Sequence, residues 1–225
     1  MGKLSKLQTL TDFSLGTQNG SSIKELGELK CLEGKFRIWM LQNVDDAQDA
    51  LGANLEGMMD LKRLDLRWSD EAYVYIDEHV IHQLKSHVNV CCLVTVGYGG
   101  SRFPSFLINS CLVDLKLSGC HCSSLPPLDD GDSWKVYRRI RHLSYARTRS
   151  KDLNKLVGFE EVQNLCTILL ISRFFVANMS DEEIGDFLRR YQRLPVLSLL
   201  HGGKVPSSIG NLKQLWYLNL SGSLE

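Results

Sequence analysis

The side chains best suited to chemistry in this sequence are histidines and cysteines, and their spacing decides what they could do. His79, His82 and His87 in HVIHQLKSH fall on or beside a helical stretch. A zinc protease needs two histidines four residues apart with a glutamate between them, HExxH, and HxxH lacks both features. These histidines therefore read as a solvated helix face. Cys111, Cys120, His121 and Cys122 are soft donors close together in sequence, but a structural zinc site needs four such ligands in a tetrahedron. Cys120 also fits a structural role in a repeat, described below. A nucleophilic cysteine needs a base and an oriented partner, and no pairing of that kind is readable. The pairs Gly2-Lys3, Gly34-Lys35 and Gly203-Lys204 are followed by Leu4, Phe36 and Val205, so the GxxxxGK[ST] phosphate loop and its magnesium-binding hydroxyl are missing. Gly97, Gly99 and Gly100 in VGYGGS depart from GxGxxG and run into Phe103-Pro104 rather than a helix, so they read as a tight turn. The expectation is a chain that is not an enzyme and carries no metal or other cofactor.

Such residues matter only if something positions them. The chain has 225 residues, enough for one or two domains with a sizeable core. Lys and Arg number 26, as do Asp and Glu, so the formal net charge is zero. No chain-wide basic field exists to hold nucleic acid or an acidic membrane. Hydrophobic residues make up 44% and charged residues 23%, which is the composition of a folded globular chain. The start MGKLSKLQTLTDFS lacks a signal-peptide apolar core, and the apolar run at 165–177 is interrupted by Arg173 and too short to span a bilayer. Seven cysteines without CxxC pairs then point to free thiols in a reducing, cytoplasmic setting.

The elements follow from an internal repeat. In CLVDLKLSGC, Leu112, Leu115 and Leu117 precede Cys120, matching LxxLxLxxN/C. Leu61, Leu64 and Leu66, then Leu194, Leu197 and Leu199, then Leu215, Leu218 and Leu220 repeat its first part. Weaker copies set anchors at Phe13, Phe36, Leu93, Leu143 and Ile168, so that anchors recur at a period near 25 residues. In a short strand, LxL turns two leucines to one face and the residues between them to the other. One coil cannot bury that face alone, and stacked coils bury it against each other. The fold class is α/β: an irregular leucine-rich repeat solenoid, horseshoe-like, with short parallel concave strands and convex helices or turns. Cys120 turns inward to satisfy backbone groups where the chain bends. Helices are predicted over 45–59, 77–87 and 180–191, the last with Ser180 and Glu183 as a capping box. Pro104, Pro126, Pro127 and Pro206 mark extended turns.

The residues between and just after the core leucines face out from the concave sheet. They are Arg37 and Trp39; Arg63, Asp65, Arg67 and Trp68; Asp114, Lys116 and Ser118; and Tyr217 with Asn219. Aromatics and arginines beside acidic residues are the mixture found at protein interfaces. Trp39 and Trp68 stand out, because exposed indoles want a partner. Trp68→Ala or Arg67→Glu is expected to weaken partner binding without altering folding.

SSIKELGELKCLEGKFRIWMLQNVDDAQDALGANLEGMMDLKRLDLRWSD (21–70), VNVCCLVTVGYGGSRFPSFL and LVDLKLSGCHCSSLPPL closely resemble the leucine-rich repeat region of plant nucleotide-binding leucine-rich repeat (NLR) disease resistance proteins of the coiled-coil class. IRHLSYARTRS, VQNLCTILL and RLPVLSLLHGGKVPSSIGNLKQLWYLNLSGS resemble that family too. In the family the RHLSY and IGNL blocks precede the LQNV and GYGG blocks, whereas here they follow. The organisation expected is a repeat array over 1–128, a junction at 129–139 and a second repeat segment over 140–225, with a discontinuity near the junction.

The resemblance implies a protein-interaction module of plant immunity that senses a pathogen effector or a guarded host protein. In a longer receptor it would hold the nucleotide-binding (NB-ARC) ATPase at rest, a switch set by differential binding to two states. The competing reading is the product of a rearranged or truncated resistance gene, acting as adaptor or decoy without a signalling ATPase. Both imply protein partners, with no nucleic acid and no membrane segment.

Overall fold

A computed structural model describes residues 4–17, 20–44, 46–69, 78–100, 103, 111–120, 139–146, 162, 164–170, 181–199 and 207–220. Nine strands among these form one parallel sheet in sequence order: β1 (Asp12–Ser14), β2 (Glu33–Trp39), β3 (Asp60–Arg67), β4 (Cys92–Val96), β5 (Asp114–Ser118), β6 (His142–Ala146), β7 (Thr167–Leu170), β8 (Val196–Leu199) and β9 (Tyr217–Asn219). Each strand pairs only with its neighbours in the chain, as a stack of coils requires.

The register confirms the repeat residue by residue. Phe36, Leu64, Leu93, Leu115, Leu143, Ile168, Leu197 and Leu218 lie side by side across β2 to β9. From Phe36 to Leu197 every anchor is buried, and they form one core with Ile38, Leu66, Leu117, Tyr145, Leu170 and Leu199 at the second inward position, which in β4 is instead the buried Thr95. The first coil departs from the expectation. Phe13 pairs with Ile38 rather than Phe36, so its spacing to the equivalent position is 25 residues rather than 23. A short TDFSL strand offers two apolar residues, and which of the two stacks on which neighbour is decided by contacts that the local sequence does not encode.

A second adjustment sits between β2 and β3. Gly34 pairs with Leu61 and Lys35 with Arg63, so Lys62 is an extra residue and the ladder bulges. A bulge re-aims the residues after it. Gly34 accommodates this with a φ of 75°, in the left-handed region that glycine enters without cost. From there on Arg63, Asp65 and Arg67 stand on the face shared with Lys35, Arg37 and Trp39.

After each of β4 and β5 the chain turns through a left-handed glycine, Gly97 at φ 75° and Gly119 at φ 62°. The tight turn expected of VGYGGS is thus present. The Gly97 N–H donates to the Ser118 carbonyl at 2.8 Å, and a Cβ on Gly97 would come within 3.1 Å of the Trp68 carbonyl oxygen. Cys120 is buried, and its Sγ donates to the carbonyls of Thr95 and Ser118, each at 3.5 Å. This is the structural role that the repeat assigned to it.

The convex side is built more sparingly than expected. The helix predicted over 45–59 is only α1 (Ala47–Gly52), followed by a 3-10 turn over Leu55–Gly57. Asp46 caps α1 by accepting from the Gln48 N–H at 2.8 Å. Asn54, at φ 48°, then reverses the chain, because Gly52 and Asn54 are poor helix interiors and good terminators. The helix predicted over 77–87 shrinks to α2 (Glu78–Gln83). The third prediction fits: α3 (Asp181–Arg190) buries Ile184 and Leu188. Ser180, the Glu183 side chain and all four proline turns lie outside the described residues.

β5 and β6, the described strands on either side of the junction, pair with each other. Asp114, Leu115, Lys116, Leu117 and Ser118 of β5 pair in unbroken register with β6 from His142 to Ala146. Residues 129–138 themselves lie outside the description. Among the described residues no helix is long and apolar enough to cross a membrane.

Candidate protein-binding face

Because side chains alternate along each strand, the core leucines fix which residues face out. On β2 these are Lys35, Arg37 and Trp39, and on β3 Arg63, Asp65 and Arg67. Asp12 of β1 stands beside Arg37. Four cations and two carboxylates thus share this patch, while Glu33 and Asp60, paired with each other, and Lys62 lie at the starts of β2 and β3.

Asp65 is the centre of this group and is fully buried. Arg63 grips it with both arms of the guanidinium, Nε to Oδ1 at 2.7 Å and Nη2 to Oδ2 at 3.2 Å. Arg37 Nε donates to Oδ2 at 3.4 Å, while Lys35 Nζ lies at 3.8 Å and Arg67 Nη2 at 4.0 Å from the same oxygen. A buried carboxylate is tolerated only when paired and hydrogen-bonded, and here the cations supply both needs. Their side chains stay 22–41% exposed, so Asp65 is hidden beneath them rather than offered to solvent. The hydrogen bond to Asp65 raises the Arg63 pKa above its ordinary value.

Trp39 is locked in place. Its Nε1–H donates to Asp12 Oδ1 at 2.8 Å, and Arg37 Nη1 donates to the same oxygen at 2.5 Å. The Arg37 and Arg67 guanidinium carbons lie 5.3 Å and 4.6 Å from the indole centroid, within cation–π range. The Trp39 hydrogen bond is the leading cause that holds the Asp12 pKa below its ordinary 3.8. The ionised form is therefore favoured by folding: this stabilisation is complete above 3.8 and is lost as pH falls through the lower folded value. The Trp39 indole N–H resonance should hold steady down to pH 4 (about the ordinary aspartate range) and shift only in stronger acid. A midpoint at or above 3.8 in that titration would show that Asp12 does not hold the indole.

The remaining expected residues scatter. Asp114, Lys116 and Ser118 do face out, half-buried, but two strands away on β5, beyond Cys92, Val94 and Val96 of β4. Tyr217, exposed, and Asn219 lie on β9, seven strands from β2 and on the order of 30 Å along the sheet at the usual strand spacing. The outward residues from β6 to β8 include Ser144, Thr167, Leu169 and Ser198, none charged. Arg37, Trp39, Arg63, Asp65 and Arg67 come together, and the others do not join them.

Trp68 is a correction. It is only 6% exposed and packs inward against Tyr98, with ring centroids 5.3 Å apart, and Tyr98 meets Phe103 edge-on at 6.2 Å. Its even position matches Leu64 and Leu66, so strand alternation already aimed it at the core. Asp65, expected on the surface, is likewise buried beneath its cations. Sequence reasoning missed Lys35 and Asp12; alternation in TDFSL marks Asp12 as outward, and the register places it beside Arg37.

Among the described residues no three histidine, cysteine or acidic side chains gather as metal ligands. Cys111 is exposed and Cys120 is buried in the core, while His121 and Cys122 lie outside the described residues. His87 Nδ1 accepts from the Asn89 N–H at 3.1 Å, a local turn contact.

A parallel sheet of stacked LxL coils with an ordered charged and aromatic concave end defines a leucine-rich repeat protein, a class of protein-interaction scaffold. The chain belongs to the family described as R13L1/DRL21 LRRs, which it matches over residues 23–147, across the junction. Its relatives are plant disease resistance proteins. It is 34% identical to the putative disease resistance protein RGA1 of Solanum bulbocastanum over 246 aligned residues, covering the whole chain and 25% of that protein. It is 37% identical over 132 residues to the putative disease resistance RPP13-like protein 1 of Arabidopsis thaliana, covering 52% of the chain and 12% of that protein. The chain thus spans a quarter or less of the length of these relatives. Among solved structures an internalin of Listeria monocytogenes is similar at a TM-score of 0.47 and 15% identity, over 97% of this chain and 63% of that one.

Proposed function

We propose that this chain is the recognition module of a plant disease resistance protein, and that its concave face binds a pathogen effector or a guarded host protein in the cytoplasm. In a longer receptor the same face, or the coils beside it, restrains the NB-ARC domain until a ligand favours the released state. One observation carries the reading. Trp39 is held by Asp12 and flanked by two guanidiniums at the exposed end of the sheet. Trp and Arg dominate the energetics of protein interfaces, and fixing them before binding removes much of the ordering cost.

The test is pairwise binding of candidate effectors, host proteins and NB-ARC fragments to the native chain and to Trp39→Ala and Arg37→Glu variants, by biolayer interferometry. For a true partner we expect Kd to rise at least about tenfold, as for interface anchors generally, with the melting temperature of Trp39→Ala lowered far less than that of a core truncation. Partners that bind all three chains equally would move the interface off this face.

A further inference from the structure

The four cations around Asp65 are not equally engaged. Arg63 spends both arms on Asp65, and Arg37 divides its donors between Asp65 and Asp12. Arg67 differs: its side chain reaches Asp65 only at 4.0 Å, and among the described residues its buried Nε has no hydrogen-bond partner. Yet its guanidinium is fixed, 4.6 Å above the Trp39 ring, with a quarter of the side chain open to solvent. Lys35 is the most open of the four at 41%, and its nitrogen is 3.8 Å from Asp65. The three strands carry five cations (Lys35, Arg37, Lys62, Arg63 and Arg67) and four carboxylates (Asp12, Glu33, Asp60 and Asp65), a surplus of one positive charge, and of the cations around Asp65 the least committed are Arg67 and Lys35.

We infer that the β1–β3 end of the concave face is a docking site for an acidic protein segment, with one carboxylate on Arg67 over Trp39 and a second on Lys35. The inference rests on the concave-face reading and adds the chemistry of the partner. With its Nε buried, Arg67 would meet a carboxylate through its terminal nitrogens, of which Nη2 is 4.0 Å from Asp65 on a side chain a quarter open to solvent. Lys35 Nζ and Arg67 Nη2 lie 3.8 Å and 4.0 Å from the same Asp65 oxygen, so the side chains converge and the two charged groups are within about 8 Å of each other, although their strand positions are four residues apart. An extended segment places carboxylates at about that separation, roughly 7 Å, when they are two residues apart on one face, as in an alternating Glu-Ser peptide. The uncharged outward residues of β6–β8 confine the field to this end. A protein carboxylate suits the site better than nucleic acid, because two carboxylates lie within the patch and would repel a continuous phosphate chain, which needs many cations along its length.

The test uses a fluorescein-labelled decapeptide of alternating Glu and Ser, its Gln-for-Glu counterpart and a ten-nucleotide oligothymidylate, followed by anisotropy at 50 and 200 mM NaCl. The Glu peptide is expected to bind the native chain and to weaken several-fold at the higher salt, while the Gln peptide does not bind. Arg67→Gln combined with Lys35→Gln should reduce affinity at least tenfold, and Lys213→Gln, exposed on the last coil, should leave it unchanged. Equal binding of the Glu and Gln peptides, no salt effect, or an unaltered Kd in the double variant would each overturn the inference. So would tighter binding of the oligothymidylate. If the double variant does not fold, the peptide pair and the salt series on the native chain decide. A partner that depends on Trp39 but competes with no Glu peptide would overturn the acidic assignment while the concave-face reading stands.

Discussion

Trp68→Ala should lower the unfolding free energy by about 3 to 4 kcal/mol, the usual loss when a buried large aromatic is cut to alanine. Trp68 is 6% exposed and is the inner end of an aromatic row with Tyr98 and Phe103. Its surroundings also include Leu41, Val80, Ile81 and Leu84 from the convex side, so the substitution opens a cavity between coils. The Trp68 carbonyl and Cβ both border the left-handed turn at Gly97, which limits how far the backbone can collapse into that space. Urea denaturation followed by circular dichroism measures the effect, with the slope watched for departures from a single transition. A loss under about 1 kcal/mol, typical of a surface position, would return Trp68 to the exterior. Trp39→Ala is the paired comparison. That indole is half-buried on the concave face, so its removal should cost binding far more than stability.

Leu115→Ala is the second large effect, expected at about 3 kcal/mol, within the range for a buried leucine. Leu115 is fully buried on β5 between Leu93 and Leu143. Solenoid stability is close to a sum of coil and neighbour-interface contributions. A cavity at this coil therefore weakens the link between β1–β4 and β6–β9 as well as the coil itself. Native-state hydrogen exchange should show the amides of β6 and β7 losing protection together with those of β5. If β6–β9 kept its protection while β5 lost it, the segment from 140 onward would be an independent unit, as the division of the chain at 129–139 supposes.

Much of this fold was legible because its signal is local. An LxL triplet sorts its own side chains between two faces, and the next coil, about 25 residues on, does the same. The anchors from Phe36 to Leu218 therefore fall in register as the spacing implied. The inward turn of Cys120 was legible for the same reason. Helix lengths were less so: 45–59 carries a helical pattern, but Gly52 and Asn54 end it after two turns at most. Trp68 was misplaced through reading residue type ahead of parity, since Leu64, Leu66 and Trp68 share one face.

By itself, then, the sequence determined the solenoid, the order of its strands and the residues able to face out, because each depends on chain-local alternation and on apolar burial between successive coils. Only the tertiary structure decided that Phe13 stacks on Ile38, that a bulge after Gly34 sets the facing of β3, and that Asp65 is a buried counter-ion for four cations. Those outcomes depend on which residues of different coils meet, 25 or more positions apart, where Coulomb attraction and desolvation compete. Zero net charge over the chain could not reveal a cationic end on one face, because stacking gathers charges that the linear order keeps apart.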